Sequence, residues 1–295
     1  MKAVKISDSS PEVTQGSRAD RYWNEKGYIK LFPEMRKGIG IPKNISNDIN
    51  LISKRFHLKG IGFGNWLNIE DRINYTYSLI YSLYDLNKIL RFNYNIGLGL
   101  LTITFGARGR GTALAHYEPG SHYINITRYH NGSSDKRVRF FSSGGVGSFA
   151  HEYGHYLDYF AGEYLAPDKG YFALTDGKSV SKSRTGSGNR MRTIVDDILE
   201  KIIWKIPKIK ESDYYSRLKK ILDTSDKGLY WVQRNELFAR AFEVYVSEKL
   251  KSQGINNKLL TDTKYSPTLY LKASEIKPMI PLFDELIGEI RKKIL

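Results

Sequence analysis

The sequence predicts an α+β fold, and two patterns support this prediction. From residue 97 to residue 128, β-branched and aromatic residues form short runs separated by turn residues, as strands do. From about residue 145 onwards, apolar residues recur every three or four positions, which is the spacing of amphipathic helices. Strand patterns followed by helix patterns are typical of α+β proteins.

The N-terminal part of the chain shows no periodic pattern. It is largely polar, and Pro11, Pro33 and Pro42 interrupt it. We therefore expect residues 1–50 to form an N-terminal arm or extension and residues 51–295 to form the folded domain.

A glycine-rich stretch and a long helix open the predicted domain. Gly60–Trp66, with the sequence GIGFGNW, indicates a turn. Asn68 precedes acidic residues, so we expect it to cap a helix over about 69–90. The helical spacing is carried by Ile69, Ile73, Thr76, Ile80 and Leu83.

The next segment predicts a hairpin. The turn signal Pro-Gly-Ser at 119–121 separates two strand-like runs, so we expect 112–118 and 122–128 to pair. His116 and His122 lie on these runs without ligand spacing to any other motif, and we expect both to be structural.

Helix patterns dominate the rest of the chain. A polar stretch rich in Gly, Ser, Lys and Arg at about 165–193 predicts a long, mobile basic loop. The predicted helices cover about 145–161, 193–205, 212–222, 233–250 and 281–295.

Composition limits the classes of protein. Cysteine is absent, which excludes disulfides and thiolate metal ligands. The N-terminus lacks the apolar core of a secretory signal, and the apolar runs are too short to span a bilayer. We therefore expect a soluble, intracellular protein that does not use a membrane.

The chain is strongly basic, with a formal net charge of +15. This charge favours non-specific contact with nucleic acid, although an ordinary basic surface fits it equally well. Arg108 and Arg110, in the stretch GARGRG, form either a basic rim that could bind a substrate carboxylate or a solvated turn. The Lys-Ser/Thr ending of a phosphate loop is missing there.

The stretch His151-Glu152-Tyr153-Gly154-His155 predicts a metal site. Histidines at i and i+4 lie on one face of a helix, one turn apart, so both rings can bind the same ion. Glu152 is then placed to accept a proton from a water activated by the metal. Gly154 is small, which we interpret as leaving room over the metal.

A third ligand is expected on a later helix, because catalytic zinc commonly has three protein ligands and one water. Glu236 opens the apolar stretch NELFARAFEVYV and is the preferred candidate. Glu243 lies near the same face and either supports the site from behind or is a surface acid. Asp158 is too close to His155 in the chain to ligate comfortably, so it either hydrogen-bonds a histidine or caps a neighbouring backbone.

Several blocks together resemble a known family. They are GIGFGNWLNIEDR, FGARGRGTALAHYEPGSHYINITR, GSFAHEYGHYLD and NELFARAFEVYV, in this order over roughly residues 55–250. This combination resembles the large polyvalent-protein-associated domain, type one, a zincin-like metallopeptidase module of phages and other mobile elements.

The resemblance implies a zincin-like fold: a small twisted sheet, an active-site helix with His151, Glu152 and His155, and a later helix with the third ligand. NELFARAFE also looks like the glutamate-bearing helix of lethal-factor-type gluzincins, which supports Glu236. In those enzymes a tyrosine shortly before that glutamate assists the oxyanion, a role that Tyr230 could take. The implied location is the cytoplasm of a host cell or a phage particle.

The expected function is therefore hydrolysis of a protein or peptide by one zinc ion. The substrate is expected to add as a strand along the sheet edge within 112–128. Two alternatives remain. One is a basic nucleic-acid-associated or virion interaction protein with a structural or weakly active scaffold, and the other is a toxin-like protease with host targets.

Overall fold

The computed structural model describes residues 35–38, 46–65, 67, 69–106, 115–127, 147–168, 170–185, 188–222, 228–261, 266 and 268–295. Most of the predicted arm, the predicted cap Asn68, and Arg108 and Arg110 lie outside the described residues.

Helices and strands are numbered in chain order. The strands are β1 (Arg36–Lys37), β2 (Gly60–Phe63), β3 (Thr102–Phe105), β4 (Ala115–Glu118), β5 (Tyr123–Ile126), β6 (Trp204–Ile206), β7 (Lys210–Glu211) and β8 (Asn256–Asn257). The α-helices are α1 (Ile49–Arg55), α2 (Ile69–Leu90), α3 (Phe149–Phe160), α4 (Arg190–Ile203), α5 (Asp213–Leu222), α6 (Gly228–Trp231), α7 (Arg234–Ser252), α8 (Ala273–Ile276) and α9 (Ile280–Ile294).

The chain divides into two compact units. Unit 1 extends to Phe149 and also includes Gly254–Leu260, whereas unit 2 comprises Ala150–Gln253 and Thr261–Leu295. Unit 1 contains the main sheet together with α1 and α2, and unit 2 is mainly helical, a mixture of helices and small sheets that is compatible with α+β.

Unit 1 is built around a four-stranded sheet of order β2-β3-β5-β4. Strands β2, β3 and β5 are parallel, and β4 pairs antiparallel with β5 at the edge of the sheet. The predicted hairpin is therefore confirmed for its described part. The long helix predicted over 69–90 is confirmed as α2, which connects β2 to β3 and is buried on most of its circumference.

The interpretation of Gly60–Trp66 as a turn is wrong for its first half. Gly60–Phe63 is strand β2, paired residue by residue with β3. A Cβ at Gly60 would meet only the Thr102 side chain, at 3.9 Å, so this glycine is not required by a tight turn. Pairing with a buried parallel neighbour has overridden the local glycine signal.

The two histidines of the hairpin have local partners, as expected for structural residues. His122 is buried, and its Nδ1 lies 2.8 Å from the hydroxyl oxygen of Tyr117. The Nε2 of His116 lies 3.3 Å from a carboxylate oxygen of Glu118.

A buried ion pair anchors the described part of the predicted arm in unit 1. Arg36, in β1, donates two hydrogen bonds of 2.7 and 2.8 Å to Asp85 of α2. Asp85 also accepts a hydrogen bond of 2.9 Å from Asn257 of β8, the antiparallel partner of β1. The described residues 35–38 are thus packed into unit 1.

In unit 2, the segment between α3 and α4 differs from the predicted mobile loop. A π-helix, Ala161–Leu165, continues α3, and α4 already begins at Arg190. Arg192 is fully buried and donates hydrogen bonds of 2.8–3.2 Å to four backbone carbonyls of this region. The accepting residues are Gly162, Ala166, Tyr171 and Ala173. These bonds hold the backbone although it has almost no regular secondary structure.

The remaining helices of unit 2 agree with the sequence pattern. α4, α5, α7 and α9 lie within a few residues of the four helices predicted after residue 190. Helices α4 and α9 pack together, and α4 also packs against α7. Among the described helices, none is both long enough and apolar enough to cross a membrane.

We expect Asp85→Ala to destabilise the fold by about 3–5 kcal/mol, because it leaves the buried guanidinium of Arg36 without its counter-charge. Urea unfolding followed by circular dichroism measures the change. Lys88→Ala is the control, since the Lys88 side chain is 32% exposed and its ammonium lies 3.8 Å from Asp85, beyond hydrogen-bond distance, and the substitution should cost less than about 1 kcal/mol. Equal effects of the two substitutions would contradict the role of the buried pair.

Candidate metal centre

Helix α3 brings the two histidines of the motif together. His151 and His155 lie one turn apart, and their Nε2 atoms are 3.2 Å from each other. The side chains of both are largely shielded from solvent, at 13% and 8% exposure. The prediction that both rings lie on one face of the helix is confirmed, although their planes are nearly perpendicular, at 85°.

Helix α7 supplies the acid. Glu236 lies in its first turn, and one carboxylate oxygen is 3.4 Å from Nε2 of His151 while the other is 3.2 Å from Nε2 of His155. The three side chains form a group that could hold a metal ion. Within the described part of the chain, no other group of three His or acidic side chains brings its possible ligand atoms within 4.8 Å of one another.

The close approach of α3 and α7 depends on Gly154. A Cβ at this position would lie 3.1 Å from the ring of Phe242 and 3.2 Å from Cα of Ala239, both on α7. The interpretation that this glycine leaves room over the metal is therefore wrong. Its missing side chain leaves room for the other helix, which allows the ligands of α3 and α7 to meet.

The N-terminus of α7 is held by the segment after α3. The backbone N–H of Arg234 donates to the carbonyl of Ser179 at 2.8 Å, and that of Asn235 donates to Gly177 at 3.0 Å. The buried guanidinium of Arg234 pairs with Asp196 of α4 and donates to the carbonyl of Thr175 at 2.6 Å. The first turn of α7, which contains Glu236, is thereby fixed.

Negative charge surrounds His151. Burial alone lowers the pKa of a histidine, but here a hydrogen bond to Glu236 and the charges of Glu236, Glu152 and Glu243 outweigh it and raise the pKa to about 9. Burial likewise raises the pKa of Glu236, but the neighbouring His155 and His151 outweigh this and hold it well below its usual range. The carboxylate is therefore ionised and available to a cation.

A buried arginine stands behind the carboxylate of Glu236. Nη1 of Arg240 lies 3.6 Å from Glu236, and its Nε donates a hydrogen bond of 3.2 Å to the hydroxyl of Tyr214. It also donates to the carbonyl of Trp231. Arg240 is 1% exposed, so its charge is balanced inside the protein.

Glu243 lies beside the site rather than at the surface. It is fully buried, and its carboxylate is 3.8 Å from Nδ1 of His151, the ring nitrogen that faces away from the metal position. The hydroxyl of Tyr270 interacts with the same carboxylate, and burial together with the Glu243 charge raises the pKa of that tyrosine well above its usual value. Of the two expectations for Glu243, support of the site is the one that the geometry favours.

Asp158 does not join the ligands. Its carboxylate accepts hydrogen bonds from the backbone N–H of Thr175 at 2.9 Å and from the Thr175 hydroxyl at 2.6 Å. The expectation that it caps a neighbouring backbone is confirmed. Burial raises the pKa of Asp158 to about 6, against the opposing effects of Thr175, His155 and Arg234.

Tyr230 and Glu152 flank the three ligands. Tyr230 lies on α6 and is 41% exposed, yet its hydroxyl interacts with the Glu236 carboxylate. Burial and the charges of Glu236 and Glu152 raise the pKa of Tyr230 well above its usual value, so the hydroxyl keeps its proton. Glu152 is 6% exposed, and its negative charge contributes to the raised pKa of both His151 and Tyr230.

Sequence reasoning missed two of these neighbours. Arg240 follows Glu236 by four residues, and that spacing is a recognisable signal for a side-chain pair on one helix face. Tyr270 lies outside any periodic segment, and nothing in the local sequence indicates its contact with Glu243.

Metal binding should release a proton, because His151 with a pKa of about 9 is protonated at neutral pH and a metal ligand must be neutral. Between pH 7 and 8 we expect about one proton released per ion. The apparent affinity should rise about tenfold per pH unit and level off near the His151 pKa. Calorimetric titration with Zn²⁺ in buffers of different ionisation enthalpy measures both. An affinity independent of pH in this range would contradict the arrangement.

Comparisons with known proteins bear on the C-terminal quarter of the chain. Residues 222–294 match the family model described as large polyvalent protein-associated domain 1. The match includes α7 with Glu236, Arg240 and Glu243, whereas the histidine motif precedes it. No curated protein and no solved structure gives a significant match. The family named from the sequence is thus confirmed as the one whose model the chain matches, over a shorter and more C-terminal range, residues 222–294.

Proposed function

We propose that this protein is a zinc-dependent peptidase whose metal is held by His151, His155 and Glu236. The observation that carries the proposal is that the Nε2 atoms of His151 and His155 lie 3.2 Å apart and that the two carboxylate oxygens of Glu236 lie 3.4 Å from the first and 3.2 Å from the second. The chain would then have a zincin-like architecture, with α3 as the active-site helix and α7 as the helix of the third ligand.

The spacing of the ligand atoms fits a small tetrahedral cation. With metal–ligand bonds of about 2.0–2.1 Å, tetrahedral geometry separates neighbouring ligand atoms by about 3.3 Å. A calcium ion needs six to eight oxygen ligands at longer distances, which two imidazoles do not provide. Two nitrogens and one carboxylate oxygen are a ligand set typical of catalytic zinc, with one position open for water.

The neighbouring side chains fit a bound zinc ion electrostatically. Glu243 faces Nδ1 of His151, so the proton of a neutral ring is favoured at Nδ1 and the lone pair at Nε2 is directed to the metal. Arg240 lies 3.6 Å from the Glu236 oxygen that faces His151, and its positive charge favours the ionised carboxylate. Ligands held in this way need little rearrangement to bind.

The proposed mechanism assigns a role to each remaining side chain. His151, His155 and Glu236 would hold the zinc ion, which when bound would lower the pKa of a water toward neutrality. Glu152 would accept a proton from the attacking water on its carboxylate and deliver it to the leaving amine. Tyr230, whose raised pKa keeps its hydroxyl protonated, donates a hydrogen bond to the oxyanion that develops on the attacked carbonyl.

The substrate class follows from the arrangement of base and ligands. A glutamate directly after the first of two histidines at i and i+4 is the arrangement by which metallopeptidases cleave amide bonds. We therefore propose a protein or peptide substrate.

Glu236→Ala should abolish stoichiometric zinc, because it removes one of three ligands and leaves Arg240 without the buried carboxylate that it faces. Elemental analysis of dialysed protein gives zinc per chain. Glu248→Ala is the control, a glutamate of the same helix that pairs with Lys251 near the surface, and it should retain one zinc. Full zinc content in Glu236→Ala would contradict the ligand assignment.

Glu152→Gln should keep zinc but lose hydrolysis of unfolded casein by at least about 10²–10⁴-fold, because the amide cannot accept the proton of the attacking water. Glu163→Gln, an exposed glutamate in the π-helix that continues α3, should cleave casein like the wild type. Loss of zinc in Glu152→Gln, or cleavage at the wild-type rate, would refute the role of Glu152 as the base.

A further inference from the structure

The hairpin formed by β6 and β7 in unit 2 is not explained by the metal site. Trp204 pairs with Glu211 and Ile206 pairs with Lys210, with a bulge in between. The turn is closed by a hydrogen bond of 3.0 Å from the backbone N–H of Ile209 to the carbonyl of Ile206. All six residues from 205 to 210 are exposed.

Exposure of six consecutive residues shows how the hairpin stands on unit 2. Neighbouring residues of a strand point to opposite faces, so a hairpin lying on the protein would bury every second residue. Here neither face of the tip is covered. The tip is therefore a ribbon that projects into solvent with both faces accessible.

The base of this ribbon is firmly held. Ser212 donates through its backbone N–H to the carbonyl of Ile203 at 2.9 Å and through its hydroxyl to Ile202 at 2.5 Å. The ammonium of Lys182 lies 5.2 Å from the ring centre of Trp204 and also binds Glu211 at 2.6 Å. The tip is thus presented in a defined position rather than as a loose loop.

The tip combines positive charge with exposed apolar side chains. Its sequence is Lys-Ile-Pro-Lys-Ile-Lys, and residues 201–210 contain four lysines and no acidic residue. The acid at its base, Glu211, is shared between Lys182 and Lys219, so its charge is already compensated. Ile206 is 46% exposed and Ile209 is 80% exposed, so the tip offers two apolar side chains beside its lysines for contact with a partner.

We propose that the β6–β7 hairpin is a DNA-binding element that enters a groove of the duplex. A two-stranded ribbon fits the major groove of B-DNA, whose walls carry phosphates on both sides. Lys205, Lys208 and Lys210 neutralise these phosphates. Ile206 and Ile209 contact thymine methyl groups or the edges of base steps, where apolar side chains of DNA-binding proteins act.

The position of Lys208 favours DNA over a lipid surface. It lies at the apex of the turn, in the left-handed backbone region with φ of 61°. A hairpin that inserted its isoleucines into a bilayer would carry this ammonium into the hydrocarbon first, which is unfavourable. In a DNA groove the same lysine remains among phosphates and water.

The test is the salt dependence of binding to a labelled 20-base-pair duplex, measured by fluorescence anisotropy with the full chain. The triple substitution of Lys205, Lys208 and Lys210 by Ala should weaken binding at least tenfold at low salt. It should also reduce the slope of log affinity against log salt by about 2–3, because about 0.9 counterion is released per phosphate contact.

The matched control removes the same charge elsewhere in unit 2. Lys251, Lys292 and Lys293 are exposed helix residues, and their triple Ala variant should keep the wild-type slope. Thermal unfolding checks that both triple Ala variants fold. Equal slopes of log affinity against log salt in the two variants would overturn the proposal, since binding would then depend only on net charge.

Ile209→Ser isolates the apolar contact. We expect at least a threefold loss of affinity for the duplex with an unchanged salt slope, and affinity equal to the wild type would overturn the role of the tip in the groove.

Phosphatidylserine vesicles and poly-glutamate are the alternative partners. Preferential binding of either through the three lysines, with DNA binding unaffected by their loss, would also overturn it. Because Glu152→Gln should bind DNA like the wild type, this test is independent of the peptidase proposal.

Discussion

The contact between α3 and α7 at Gly154 is the constraint on which the candidate site depends. The candidate ligands come from two helices, and the carboxylate of Glu236 lies 3.2–3.4 Å from the two histidines where the backbone of α7 passes close to the glycine. A methyl group there would meet Cα of Ala239 at 3.2 Å, and backbone cannot move aside as a flexible side chain can. Any separation of the helices moves Glu236 away from both histidines.

The charges buried around this contact form a balanced set. Arg234, Glu236, Arg240 and Glu243 all lie on α7 and are at most 4% exposed. Burying charge is costly unless partners are close, and each of these groups has one: Asp196 for Arg234, the histidines and Arg240 for Glu236, and His151 for Glu243. Such a concentration of buried, mutually perturbed ionisable groups is characteristic of functional sites rather than of ordinary cores.

The segment between α3 and α4 connects the two ligand helices through its backbone. Asp158 of α3 binds Thr175, the carbonyl of Thr175 accepts from Arg234, and the carbonyls of Gly177 and Ser179 accept from the first amides of α7. Because these carbonyls replace a side-chain cap on α7, the segment contributes to the position of Glu236 without contacting the ligands itself. A stretch whose composition resembles a flexible linker therefore has a structural role.

The sequence by itself determined the local features of this protein. Helical periodicity predicted α2, α3, α7 and α9 closely, and the spacing of His151 and His155 was sufficient to place both rings on one face. These properties depend on residues within one or two turns of each other, so the local sequence specifies them. The charge of +15 was likewise available without a structure.

Only the tertiary structure decided which side chains meet across the chain. It separated Glu236, which faces both Nε2 atoms, from Glu243, which faces the back of one ring, although both lie on the same helix face. It also showed that Gly154 contacts α7 at the interface between the two helices, and that Asp158 hydrogen-bonds Thr175. The physical reason is that these contacts join residues far apart in sequence, and their distances are set by how whole helices pack rather than by any local pattern.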